Sequence, residues 1–160
     1  MTADAYKRKL AAILYADIAG YSRLSGEDEE GTHRRVMEIL DYASRQIEAG
    51  GGTVLRYAGD AILAEFSSAV AAVKCAVGIQ TELSVRNRML DDERKAQIRI
   101  GINIGDVIED RGEVYGDGVN LAARLESACS GSSSNTSVSA RLSNSNKRGS
   151  AMRWVWRVSA

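Results

Sequence analysis

The sequence predicts an α+β fold: a mostly antiparallel sheet with helices packed on one face. Three observations lead there. Residues 98–104 (IRIGINI) alternate strictly, with Ile98, Ile100, Ile102 and Ile104 facing one way and Arg99, Gly101 and Asn103 the other, the mark of a half-buried strand. Two short apolar runs, 53–58 and 61–66, are separated only by Gly59-Asp60, a two-residue loop that suits a tight hairpin because glycine accepts positive φ at its first position. Between such strands lie longer stretches with helical spacing of apolar residues.

Taken in order, residues 9–18 (KLAAILYADI) are nearly continuously apolar, so they predict a strand covered on both faces. Residues 27–49 predict a helix. Glu27, Asp28, Glu29 and Glu30 crowd its start, Val36, Ile39, Leu40, Ala43 and Ile47 form its apolar stripe, and Gly50-Gly51-Gly52 stops it, as the helix dipole and glycine's freedom require. After the hairpin, a helix over about 68–88 carries Val70, Val73 and Val77, with Ala69 and Ala76 on the same side. The strand at 98–104 follows. Gly105-Asp106 is expected to turn the chain into a partner strand over 106–110, and a last helix is expected over about 117–128.

The bulk properties exclude several functions. The chain of 160 residues carries 21 basic and 21 acidic side chains, so no net field draws it to nucleic acid or an anionic membrane. No apolar run has the length of a membrane span, and the first residues lack a signal peptide's apolar stretch,. The two cysteines, Cys75 and Cys129, have no metal-type spacing and predict reduced thiols in a cytoplasmic chain. His33 is the single histidine; it lies in a charged helical stretch and is expected to be solvated.

The residues that could carry chemistry are acids, one asparagine and one arginine. Asp17 ends the first strand, either as a helix N-cap or as a ligand for a hard cation. Asp60 occupies the hairpin turn, where an ordinary turn residue is the simplest reading. If their strands are neighbours, the two carboxylates meet at one end of the sheet. Divalent ions would then relieve their repulsion and make a two-metal phosphoryl-transfer site. The loop Ile18-Ala19-Gly20-Tyr21-Ser22 offers backbone N–H groups for polyphosphate oxygens. Asn120 and Arg124, four residues apart, share a helix face. They are either a solvated polar pair or groups acting on a phosphoryl transition state, which arginine can stabilise.

Four segments, "ADIAGYSRL", "GGTVLRYAGDAILAEF", "RIGINIGDVI" and "VYGDGVNLAARLE", together resemble the signature segments of class III adenylate/guanylate cyclase catalytic domains of bacterial type. They stand in the family's order and spacing, over about residues 7–127. The resemblance implies a ferredoxin-like sheet and a purine nucleotide cyclase that needs two Mg²⁺ or Mn²⁺ per site. It implies that Asp17, Asp60 and the Ile18 carbonyl bind metal and that the loop from Ile18 through Ala19, Gly20, Tyr21 and Ser22 binds the triphosphate. Asn120 would orient the ribose, and Arg124 would stabilise the α-phosphate. It also implies a head-to-tail homodimer whose sites combine Asp17 and Asp60 of one subunit with Asn120 and Arg124 of the other.

The family's base-selecting lysine is Arg56 here, and its usual acidic or threonine partner is Glu113. This charge pattern leans toward ATP over GTP. A diguanylate cyclase would need a glycine–acid signature that the sequence lacks. The resemblance ends with the helix: residues 1–128 form the expected catalytic domain, and residues 129–160 a Ser-rich tail expected to be loop, without the family's Pro-Gly-Gly turn or its later lysine-bearing strand. Its terminal RWVWRV reads as a strand with little in the tail to pair with. On this reading the fold is incomplete at its C-terminal end, and the alternative to a working cyclase is a catalytically impaired nucleotide-binding or dimerisation module.

Overall fold

The structure is a computed structural model that describes residues 7–19, 28–91, 94–110, 113–116, 139–142 and 154–157. Its elements in chain order are β1 (Lys7–Ala19), α1 (Glu29–Ala49), β2 (Gly52–Ala58), β3 (Ala61–Phe66), α2 (Ala69–Asn87), β4 (Gln97–Asp110), β5 (Glu113–Tyr115), β6 (Ser139–Leu142) and β7 (Trp154–Arg157). The helix expected over 117–128 lies outside the described residues.

β1 to β5 form one five-stranded sheet in the order β2-β3-β1-β4-β5, and all of its pairings are antiparallel. β1 is central and buried on both faces, as its continuous apolar run predicts. Its alternate residues Ala12, Leu14, Ala16 and Ile18 join Ile62, Ile98, Ile100 and Ile102 beneath the two helices. Ala11 and Ile13 join Leu63 and Val107 in a smaller cluster on the opposite face.

The two helices treat their sequence patterns differently. In α1 the expected stripe of Val36, Ile39, Leu40, Ala43 and Ile47 is the buried face. Its N-cap is Asp28, whose Oδ1 accepts the Gly31 N–H at 2.9 Å, and Gly51 leaves the helix at φ 81°. In α2 the expected stripe holds only in part: Ala76 is buried, and Ala69 and Val73 pack against the core. Val70 and Val77 are exposed, at 64% and 39%, and the buried face is Ala72, Cys75, Ala76, Ile79, Gln80 and Leu83. Valine and alanine occur on every side of this helix, so periodicity alone did not single out a face. The small alanines suit a close approach to the sheet, Val73 packs against the core beside them, and Val70 and Val77 stay outside.

β4 corrects a second expectation. Gly105-Asp106 is not a turn: the strand runs unbroken from Gln97 to Asp110. β1 is long enough to pair with it throughout, with Ala11 opposite Gly105 and Leu10 opposite Asp106. Gly105 is not among the positive-φ glycines, whereas Gly59 in the β2–β3 hairpin is, at φ 61°. The partner strand is β5, which starts at Glu113. The start of β4 is held by Asn87 at the end of α2, whose side chain donates to the Ala96 carbonyl at 2.7 Å and accepts from the Ala96 N–H at 3.3 Å. In the tail, the terminal strand does find a partner: β7 pairs antiparallel with β6 in a second, two-stranded sheet.

Candidate active site

Asp17 lies near the end of β1, opposite Ala61 of β3. Asp60 immediately precedes Ala61, and its carbonyl accepts the Ile18 N–H at 3.2 Å. The turn that carries one acid is therefore tied to the strand that carries the other. The sequence expectation that these strands are neighbours holds, and both acids sit at the same end of adjacent strands. Ala19 is the last residue of β1; Gly20, Tyr21 and Ser22 of the expected phosphate loop lie outside the described residues, as do Asn120 and Arg124.

Asp17 is neither a cap nor an isolated carboxylate. Strand alternation puts it on the face away from the helices, with Ala11, Ile13 and Tyr15. It is only 8% exposed, a costly place for a charge without a partner. That partner is Arg99, directly opposite on β4. Its Nε donates to Asp17 Oδ1 at 2.9 Å and its Nη2 to Oδ2 at 2.6 Å, a bidentate pair of the strong kind. The sequence had placed Arg99 opposite the isoleucines of β4 but had given it no role. The missing information was register: only the pairing of Asp17 with Arg99 turns two separate charges into one site.

Arg56 reaches the same face through an irregularity. In the pairing of β2 with β3, Val54 lies opposite Ala64 but Arg56 lies opposite Leu63, so Leu55 is an extra residue in a β-bulge. Val54 packs into the core beneath the helices, and Leu55 packs with Leu63 on the other side. Simple alternation from Val54 would send Arg56 to the helix side. The bulge reverses this and sets Arg56, like Leu63, on the face of Asp17, as bulges often re-aim a side chain. Arg56 is exposed there. Glu113 lies on β5, at the edge of the sheet opposite β2; its backbone is paired with Asp110.

The donors that could hold a metal are the Asp17 and Asp60 carboxylates and the Ile18 carbonyl. All are oxygens, the ligand type that Mg²⁺ and Mn²⁺ prefer. Among the described residues no group of three or more His, Cys, Asp or Glu side chains could hold an ion. A metal here would rely on two acids, a backbone oxygen and ligands from substrate or water, the usual arrangement for Mg²⁺ in phosphate sites. The residues present fit such an ion, with one feature of their own: Asp17 already has a cation beside it. Cys75 takes no part. It lies on the buried face of α2, and burial pushes its thiol up to about 11, away from the reactive thiolate. His33 is exposed on α1, as expected.

The sequence matches the family model described as the adenylate and guanylate cyclase catalytic domain over residues 4–153. That match continues past the helix at which the sequence resemblance was expected to stop, into the Ser-rich tail. The Rhizobium meliloti protein "Putative adenylate cyclase 3" is 42% identical over 130 residues, 79% of this chain and 22% of that protein. An adenylate cyclase of Streptomyces coelicolor is 32% identical over 117 residues, 72% of this chain and 29% of that protein. The chain thus spans less than a third of the length of these curated relatives. A crystal structure of an adenylate/guanylate cyclase/hydrolase from Silicibacter pomeroyi superimposes with a TM-score of 0.74 at 32% identity, covering 95% of this chain and 97% of that one. Among the described residues no helix is long and apolar enough to cross a membrane.

Proposed function

This chain belongs to the adenylate and guanylate cyclase catalytic domain family, and from that premise we propose that it converts ATP to 3′,5′-cyclic AMP and pyrophosphate. The observation that carries the reading is Asp17 on β1 beside Asp60 in the β2–β3 turn, at one end of two paired strands. In the reaction the ribose 3′-oxygen bonds to the α-phosphorus, the bond from that phosphorus to the bridging oxygen of the leaving group breaks, and the hydroxyl proton is lost. Asp17, Asp60 and the Ile18 carbonyl are the groups that would hold two Mg²⁺ or Mn²⁺ ions. Such ions, when bound, acidify the hydroxyl and neutralise the triphosphate.

The remaining roles fall to the chain's other residues. Backbone N–H groups from Ile18 to Ser22 receive phosphate oxygens. Asn120 orients the ribose, and Arg124 stabilises charge at the α-phosphate. Arg56 only donates hydrogen bonds and Glu113 only accepts them, so they match the N1 acceptor and exocyclic amine of adenine better than the O6 and N1–H of guanine. Asp17 and Asp60 act together with Asn120 and Arg124 of a second copy in a homodimer.

Turnover of ATP and GTP by the purified chain, with Mg²⁺ or Mn²⁺, tests this reading. ATP should be converted and GTP should compete poorly. Asp17→Ala and Arg124→Ala should each abolish turnover. Mixed in equal amounts, they should restore about a quarter of the parental activity, because random pairing makes half the dimers mixed and each mixed dimer has one intact site of two. GTP binding as tightly as ATP would refute the base assignment. No recovery in the mixture, with an active parent, would refute the shared site.

A further inference from the structure

We propose that Arg99 is a positioning residue that stands in for a divalent cation at Asp17: its guanidinium holds the carboxylate in place while the metal is absent, and metal binding exchanges one cation for the other. The inference rests on the metal-site reading of Asp17 and Asp60. It goes further by assigning a role to a side chain outside that ligand set.

Both Asp17 oxygens accept from one guanidinium, at 2.9 and 2.6 Å, and the two side chains retain only 11% and 26% of their exposure. Bidentate contact sets the guanidinium charge against both carboxylate oxygens, and a divalent ion bound to either oxygen would lie close beside it. Two positive centres at that spacing repel strongly in a partly dry site. A bound metal would therefore weaken the ion pair, and the ion pair would weaken metal binding. A purely structural role explains less, because a buried ion pair adds little net stability over apolar packing. The same face of the sheet shows that apolar packing is available: Ile13, Leu63 and Val107 fill it a few residues away. The pair keeps a buried acid from standing uncompensated before the metal arrives, and it makes metal binding weaker than the two acids alone would allow.

Mn²⁺ titrations of the full chain, followed by the EPR signal of free Mn²⁺, test this for the parent, Arg99→Gln, Arg99→Lys and Asp60→Asn. Arg99→Gln should bind Mn²⁺ on the order of tenfold more tightly, because it removes the competing charge. Arg99→Lys keeps the charge but not the fork and should fall between Arg99→Gln and the parent. Without metal, Arg99→Gln should melt below the parent, and Mn²⁺ should raise its melting temperature more than the parent's. Equal or weaker Mn²⁺ binding by Arg99→Gln would overturn the inference. If binding is lost in Asp60→Asn but unchanged in Arg99→Gln, the metal site stands and the stand-in role falls. Absence of Mn²⁺ binding in the parent and in Arg99→Gln alike removes both. Should Arg99→Gln not fold, the parent decides: the Arg99 Nε–H resonance should move on titration with Mg²⁺, and a resonance unchanged through saturation would overturn the inference.

Discussion

Both faces of the five-stranded sheet bury apolar side chains, but they are built from different chemistry. Under α1 and α2, β1, β3 and β4 contribute apolar side chains, among them Leu14, Ile62, Ile98, Ile100 and Ile102. The opposite face has a small apolar cluster of Ala11, Ile13, Leu63 and Val107. Around it stand charges: Asp17 paired with Arg99, and Lys9 paired with Glu65 and Glu109 at 2.6 and 3.0 Å. Charges in such a position cost solvation that packing alone would avoid. The first face meets a single demand, exclusion of water. The second meets that demand less completely and keeps groups that can meet a charged ligand.

The largest effect expected from this contrast is on stability, and it belongs to the helix face. Phe66 is 1% exposed, and Phe66→Ala should cost about 3–5 kcal/mol through lost transfer and a cavity. Leu63→Ala on the other face should cost less, about 2 kcal/mol, because its cluster is small and has room to relax. Denaturant unfolding of both variants measures the difference, and equal losses would break the comparison.

Asp17→Asn comes next, at about 1–3 kcal/mol, since it leaves Arg99 facing a neutral amide in a partly buried position. The same unfolding measurement checks it.

The Lys9 cluster makes a smaller contribution that depends on pH. Lys9 is held above its ordinary value of 10.5, first by its hydrogen bond to Glu65 and then by that to Glu109. Glu109 is held below its ordinary value of 4.5, first by the Lys9 hydrogen bond. A raised lysine stabilises the fold below its unfolded pKa, and that contribution fades as pH rises through the folded one. A lowered carboxylate stabilises above its unfolded pKa, and that contribution fades as pH falls through the folded one. The stability difference between the parent and Lys9→Met should therefore be fullest between the ordinary values of 4.5 and 10.5 and shrink on either side. A difference flat across pH would assign the effect to the lysine's hydrocarbon stem.

The smallest expected effect is chemical. With its thiol pushed up to about 11, Cys75 should resist alkylation at pH 8 in the native chain and react on unfolding. Mapping of the modified peptide by mass reads this out, and native labelling at the unfolded rate would show that α2 does not seal the core.

What the sequence made legible follows the same division. The helix face was readable because its signals are local. Strict alternation in β4 and a single apolar stripe in α1 each admit one buried face. α2 was misread in part, at Val70 and Val77, because alanine and valine surround it, so the buried side depends on how closely the sheet lets it approach. The Gly105-Asp106 pair was read as a turn for want of knowing that β1 is long enough to keep pairing beyond it. On the other face, the placing of Asp17 and Asp60 at one end of neighbouring strands was legible, one from its strand's end and the other from its turn. Arg99 was not, because its role depends on pairing across 82 residues. The aim of Arg56 depends on a bulge that leaves no mark in composition.

Asp60→Asn is the most direct test of the claim that one face stabilises and the other acts, with cyclase turnover and denaturant stability measured on the same preparation. Asp60 sits in a turn, partly exposed, where a near-isosteric change should move stability by no more than about 0.5 kcal/mol. Stability should be kept within that margin while ATP turnover falls at least about a hundredfold, through loss of a carboxylate proposed to bind metal. Turnover close to the parent's, or a loss of activity matched by a loss of fold, would contradict that claim.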